Sequence, residues 1–196
     1  KNTQYIFKVY QFHSSKFIFL GKNRKVTKKK IKADAIITDH EKLPIAVLTA
    51  DCVPLLLYDN KRKMIAAIHA GWKGAFKGIV HKVIKFMLTK GCRRKNLIVA
   101  IGPCISQKNY EVGIEFKNKF IQKHKKNKIF FKNINNSFYF NLQNYVKSQL
   151  RFNKISKIDM INIDTYENKN NFFSARRSLK LNHVDYGRNI SIIMIK

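Results

Sequence analysis

Cys52 lies in the run Thr49-Ala50-Asp51-Cys52-Val53-Pro54, and His69 follows in Ile68-His69-Ala70-Gly71-Trp72-Lys73-Gly74. A thiolate and an imidazole are good zinc ligands, and a second imidazole would complete a three-ligand set with an open fourth position. His13, in Gln11-Phe12-His13-Ser14, is the third candidate, although spacing alone does not bring it to the other two. Taken singly, Cys52 also reads as a small buried hydrophobe and His69 as a satisfied core histidine. Asp51 faces away from Cys52 if the strand persists. It enters the site only if the backbone turns there, as Pro54 permits, and it would then orient a ligand imidazole or act as a base.

Two further groups bear on an anionic ligand. The Gly71-Trp72-Lys73-Gly74 turn opens a helix just after a strand, so its backbone N–H groups and Lys73 could hold an anion. The competing reading is a tight strand-to-helix turn with no ligand, and the spacing is not that of a P-loop. Trp72 reads either as a stacking wall or as a core anchor. Arg176 and Arg177 follow an aromatic pair and suit fork-like recognition of phosphate or carboxylate, with solvated arginines as the alternative. Cys92, Cys104, His40, His81, His124 and His183 read as structural or surface residues.

These side chains need strand ends to deliver them to a cleft. Apolar runs predict strands over 5–10, 17–20, 35–38, 45–50, 53–58 and 64–70, with Asp59-Asn60-Lys61 turning the last two into a hairpin. A basic loop spans 21–32. Phe76, Ile79, Val80, Val83, Ile84, Met87 and Leu88 share one face of a helix that ends at Gly91. A buried strand over 97–101 stops at Gly102-Pro103, and a helix is expected over 111–123. A basic connection over 123–132 leads to a weak strand at 138–140. Asn141 caps a helix carrying Leu142, Tyr145, Val146 and Leu150, and late strands are expected over 158–163 and 190–195. Strands outnumber helices and short turns join several of them, so the fold class is α+β, with no repeat or linker marking a second domain.

The chain has 196 residues, 45% of them hydrophobic, enough to bury the core of one domain. Its apolar stretches are too short for a membrane-spanning helix. No basic-then-apolar leader is visible, but the chain begins with Lys1, which leaves open native residues before it. Three cysteines argue against a disulfide framework and for a reducing compartment, the cytoplasm. The net charge of +29 is spread through nearly every loop, so it reads as a diffuse basic surface that steers anionic substrates, not as a specific nucleic-acid footprint.

TADCVP and IHAGWKG resemble the motifs of the family long described as laccase-domain or polyphenol-oxidase proteins, later linked to purine nucleoside phosphorylase and named peptidoglycan editing factor in bacteria. Ala33-Asp34-Ala35-Ile36-Ile37-Thr38, Ile101-Gly102-Pro103-Cys104-Ile105, Tyr110-Glu111-Val112-Gly113 and Phe172-Phe173-Ser174-Ala175-Arg176-Arg177 extend the match along most of the chain. Two positions depart from it. Asp164-Thr165-Tyr166 stands where the family often has CTY, and Ala175 where it often has tyrosine.

The resemblance implies one domain over residues 1–196, with mixed sheets sandwiched between helical layers. It implies a metal, zinc or alternatively copper, on His13, Cys52 and His69, and phosphorolysis of adenosine or inosine, with adenosine deamination in the same site. Cys52, His69 and Asp51 would be the catalytic residues. Gly71, Lys73, Arg176 and Arg177 would bind nucleoside and phosphate. The alternative is a cytoplasmic amidase that edits a mis-charged UDP-MurNAc-amino acid, with Cys52 as nucleophile and His69 as base. A copper polyphenol oxidase fits least, because six scattered histidines cannot furnish both a His₂Cys centre and a trinuclear site. The oligomeric state is left open.

Overall fold

Residues 64–70 are buried at every position, which requires cover on both faces of the sheet that holds them. The computed structural model, which describes residues 5–22 and 31–196, provides that cover. The first half of the chain forms β1 (Phe17–Leu20), β2 (Ala35–Thr38), β3 (Ile45–Thr49), β4 (Val53–Asp59), β5 (Met64–Ala70), α1 (Trp72–Phe76) and α2 (Ile79–Thr89). The second half forms β6 (Leu97–Ile101), β7 (Glu111–Val112), α3 (Ile114–Lys123), β8 (Phe131–Ile134) and β9 (Ser137–Phe140). It ends with α4 (Leu142–Phe152), β10 (Lys157–Met160), α5 (Ala175–Lys180) and β11 (Asn189–Ile193).

The main sheet runs β1-β2-β5-β4-β6-β10. Its outer pairs, β1 with β2 and β6 with β10, are parallel, and its inner pairs are antiparallel. Alternation along β5 divides its side chains between two cores. Met64, Ala66 and Ile68 pack with Val80, Val83 and Met87 of α2 and Val146 of α4. Ile65 and Ala67 pack on the opposite face with Phe7, Ile45 and Val47, closed over by the antiparallel pair β3–β11. His69 has the parity of Ile65 and Ala67, so it emerges at the end of β5 on the β3 side. A small sheet, β7-β9-β8, rests on an aromatic cluster in which the Phe120 ring lies 4.7 Å from those of both Phe116 and Phe140. The architecture is α+β, mixed sheets flanked by helices.

Several local expectations change. Residues 5–10 form only isolated bridges, Phe7 to Ile45 and Tyr10 to Lys32: Phe7 exchanges backbone bonds with Pro44 and Ala46 at the start of β3, and the segment then bonds to Ile31 and Ala33 instead of continuing that ladder. The expected helix over 76–88 becomes α1 and α2, separated at Gly78, which has φ 78°. The helix expected from 111 starts at Ile114, since Glu111 and Val112 pair with Tyr139 and Phe138 of β9. The connection expected over 123–132 runs into β8. The late strands occupy 157–160 and 189–193. Residues 23–30 of the basic loop lie outside the described residues. Asn141 caps α4 as expected, its side-chain oxygen accepting from the Asn144 N–H at 2.9 Å. No helix among the described residues is long and apolar enough to cross a membrane.

Candidate metal centre

β3 stops at Thr49, and the chain turns through Asp51, whose φ is 81°, before β4 begins at Val53. That turn carries Cys52 to the end of β5, where His69 stands opposite Pro54. His13 arrives from a loop in a left-handed conformation of its own, φ 60°, uncommon outside glycine. The His13 Nε2 lies 3.8 Å from the Cys52 Sγ, and the two imidazole rings are 4.8 Å apart between centroids. All three ligand atoms fall within 4.8 Å of one another. Tetrahedral zinc with ordinary Zn–S and Zn–N bonds separates sulfur from nitrogen by about 3.6 Å; the His13–Cys52 pair is already near that value, and the widest pair of the set must close by about 1 Å on binding.

Asp34 holds this arrangement together. Its Oδ1 accepts from the backbone N–H groups of Phe12 at 3.2 Å and His13 at 3.0 Å. The same oxygen faces the His69 Nδ1 at 2.8 Å. Its Oδ2 accepts from the Ser14 N–H and the Ser14 hydroxyl, both at 2.6 Å. One fully buried carboxylate thus fixes the His13 loop and the His69 ring together, leaving the His69 Nε2 for a metal. Sequence reasoning missed this role. The available signal was an aspartate set among buried apolar residues in Ala33-Asp34-Ala35-Ile36.

The glycines of the GWKG turn serve close packing. A Cβ at Gly71 would lie 2.8 Å from the His13 Cδ2 and 2.9 Å from the Cys52 Sγ, and one at Gly74 would lie 2.7 Å from the Ser14 carbonyl oxygen. Lys82 of α2 adds a bond from its Nζ to the Ser15 hydroxyl at 2.6 Å. Trp72 packs edge-on against Phe116, centroids 5.0 Å apart, as a core anchor.

The electrostatics favour a thiolate. Burial alone would raise the Cys52 thiol, but the charge of His69 and hydrogen bonding from both imidazoles bring its pKa down to about 7. Burial likewise opposes an imidazolium at His69, yet the Cys52 thiolate and the Asp34 carboxylate raise that pKa to about 9. The other cysteines behave oppositely: burial pushes Cys92 up to about 12 and Cys104 higher still. All three cysteines are free of disulfides.

Two cavities adjoin the cluster and share His13, Ala50, Cys52 and Tyr186. The larger, about 300 Å³, reaches all three ligands and is bordered by Gln11, Thr49 and Arg188. The smaller, about 170 Å³, is lined by Ile105, Leu142, Tyr110, Asp51 and Arg176. Asp51 faces it but does not orient His69. Its Oδ1 accepts from the Thr165 hydroxyl at 2.8 Å, and its Oδ2 from the Arg176 N–H at 2.6 Å. Arg176 donates from Nη1 to the Glu111 carbonyl at 2.9 Å and stands over the Tyr110 ring.

The double arginine divides in role. Arg177 gives its guanidinium to the carbonyls of Thr165, Tyr166 and Phe172 at 3.0, 2.8 and 2.6 Å, which braces the chain around α5 and commits its charge there. Lys73 is exposed beside the Trp72 ring, 5.6 Å from its centroid, and neither cavity includes it in its lining. Ala175, at one of the departures from the family pattern, lines the smaller cavity. Among the described residues, no second cluster of three histidine, cysteine or carboxylate ligands accompanies the first.

A fold of this kind, with a His₂Cys cluster at the end of its central strands, has clear relatives. A family model described as multi-copper polyphenol oxidoreductase laccase matches residues 1–196, and the chain belongs to that family. It is 39% identical over 168 residues to purine nucleoside phosphorylase RP494 of Rickettsia prowazekii, covering 84% of this chain and 69% of that protein. It is 32% identical over 173 residues to a purine nucleoside phosphorylase of Haemophilus influenzae, 85% of this chain and 67% of the relative. Among solved structures, the hypothetical protein YfiH of Bacillus licheniformis superposes with a TM-score of 0.87 at 25% identity, over 97% of this chain and 74% of that one. YlmD of Geobacillus stearothermophilus gives 0.84 at 21% identity, over 98% and 74%, a likeness of fold.

Proposed function

We propose that this chain is a metal-dependent purine nucleoside phosphorylase, a single catalytic domain over residues 1–196 that converts adenosine or inosine and phosphate into free base and ribose 1-phosphate. The observation that carries the reading is the convergence of His13, Cys52 and His69 where two cavities meet, each cavity bordered by one arginine. The activity borne in the names of the relatives from Rickettsia prowazekii and Haemophilus influenzae gives that site its substrate class. His13, Cys52 and His69 would hold the metal, zinc by donor chemistry or copper, which supplies Lewis acidity at an open position.

The chain's own residues supply the rest. Asp34 keeps the His69 ring in one tautomer. Asp51 ties the Cys52 turn to α5 and so fixes the wall of the smaller cavity. Arginine at the cavities and the general positive field of a chain of net charge +29 favour the approach of anionic phosphate to the site. A cytoplasmic setting belongs to the same reading, supported by three cysteines free of disulfides. Purified protein given adenosine and phosphate should yield adenine and ribose 1-phosphate, and Cys52→Ala or His69→Ala should abolish turnover. Ammonia measured in the same assay reports adenosine deamination. Unchanged rates in both variants would end the proposal.

One observation favours a second reading. A Cys52 thiol of pKa about 7 beside His69 is poised as a nucleophile, as a cytoplasmic amidase that edits mis-charged UDP-MurNAc-amino acids would require. Incubation with UDP-MurNAc carrying serine in place of alanine tests it; no released serine removes it.

A further inference from the structure

Displacement at an anomeric carbon sets a requirement on any site that performs phosphorolysis. The incoming oxygen and the departing base occupy opposite faces of that carbon, so phosphate and purine need separate subsites with the sugar between them. The two cavities suit this requirement, because both border the cluster and share His13, Ala50, Cys52 and Tyr186 in their linings. Their linings differ in chemistry. The smaller is walled by Ile105, Leu142, Leu179 and the rings of Tyr110 and Tyr186, which suits a flat, largely apolar group. The larger adds Gln11, Thr49 and Arg188 to the three ligands in its lining.

Arg188 is placed there by packing. Gly187 lies so close beneath Phe173 that an added Cβ would come within 2.4 Å of the Phe173 ring. Asn189 pins the same stretch from the other side, accepting from the Phe173 N–H at 2.9 Å and donating to its carbonyl at 2.8 Å. The Arg188 guanidinium then lies over the Tyr186 ring, 4.0 Å from its centroid. It also donates to the Tyr186 carbonyl, and its ion partner among the described residues is an exposed carboxylate, Asp185, at 3.8 Å. Such an exposed pair is weak and yields readily to a dianion. Arg176, by contrast, fronts the apolar cavity and is bonded to the Glu111 carbonyl.

Resting on the phosphorylase reading, we infer that Arg188 is the phosphate-binding residue and that the purine lies in the Tyr110–Arg176 cavity, with the Tyr186 ring as the wall between the two subsites. The reaction balances without a further reactant. An oxygen of hydrogen phosphate forms the bond to C1′, the C1′–N9 pair departs with the purine, and the phosphate proton ends on the base.

Initial rates with phosphate and adenosine varied separately provide the test on metal-loaded protein. Arg188→Ala should raise the KM for phosphate at least tenfold and leave that for adenosine within twofold; Arg188→Lys should recover part of the loss. Arg176→Ala should raise the KM for adenosine instead. A phosphate KM within twofold of wild type in Arg188→Ala, or equal rises in both constants, overturns the assignment. Metal content and melting temperature show whether each variant is folded, and Arg188→Gln, which keeps the stacked shape, replaces Arg188→Ala if that variant is not. Calorimetric titration with inorganic phosphate decides the anion subsite apart from turnover. Binding lost in Arg188→Ala upholds it even if no purine nucleoside is cleaved, and equal binding in both proteins refutes it.

Discussion

The Asp34 carboxylate and the His69 Nδ1, 2.8 Å apart, form the buried base of the metal centre. The same carboxylate receives the backbone of the loop that presents His13. Two of the three ligands therefore depend on one side chain that lies outside the cluster.

Replacing that side chain by Asp34→Asn should lower zinc affinity roughly 10–100-fold, the usual cost of losing a partner that orients a ligand. It should also destabilise the chain by about 3 kcal/mol, since buried hydrogen-bond partners lose their charge complement. Burial would raise the Asp34 pKa, but bonds from His69 and Ser14 hold it below the usual carboxylate range. Its stabilisation is therefore present above about pH 4 and is lost as pH falls through the lowered folded value. Competition with a chromogenic chelator and acid titration of the melting temperature read both effects; wild-type values in each would contradict this role.

Metal binding should release protons in a pH-dependent number. The metal-free pair is a Cys52 thiolate above about pH 7 and a His69 imidazolium below about pH 9, whereas ligation needs thiolate and neutral imidazole. Near pH 8 the Cys52–His69 pair should contribute about one released proton per zinc, from His69, and near pH 6 about two, once the Cys52 thiol is also protonated. Affinity should rise with pH up to about 9 and then level off. Calorimetry in buffers of different ionisation enthalpy counts the protons, and an equal count at both pH values contradicts the assignment.

Two glycines should respond differently to alanine. At Gly71 the new methyl group meets the His13 ring and the Cys52 sulfur. Overpacking should then cost about 1–3 kcal/mol and weaken metal binding. At Gly78 a methyl group meets nothing within 4 Å, but the left-handed backbone makes it unfavourable by about 1 kcal/mol. Gly78→Ala should therefore lower the melting temperature and leave the metal dissociation constant unchanged.

Arg177→Met should lower stability by about 3 kcal/mol through loss of charge-assisted bonds to three carbonyls. The KM for phosphate in the surviving folded fraction should stay near wild type. A large rise in that constant with unchanged stability would instead assign Arg177 to the anion.

Much of the framework was legible in the sequence because its apolar runs are long and bounded by turn residues. The β4–β5 hairpin, β6, the face of α2 and the Asn141 cap all follow from local pattern. Elements that exist through distant partners were not legible. Residues 111–112 read as helix until β9 pairs with them, and 131–134 have no apolar alternation of their own. In the site, Cys52 and His69 are recognisable as strand-end residues, whereas His13 is brought to them by Asp34, a contact that spacing cannot announce. The double arginine looked alike on paper, yet Arg177 braces backbone carbonyls and Arg176 fronts a cavity. Arg188 was hidden among forty basic residues; only its fixed place over Tyr186 distinguishes it.

The most direct test of the metal centre is elemental analysis of the chain purified without added metal, beside His13→Ala, Cys52→Ala and His69→Ala, each also assayed for phosphorolysis. One equivalent of zinc or copper in the wild type, lost together with turnover in all three variants, is the predicted result. Metal retained at wild-type stoichiometry by folded Cys52→Ala and His69→Ala, or phosphorolysis by a wild type that holds none, would contradict it.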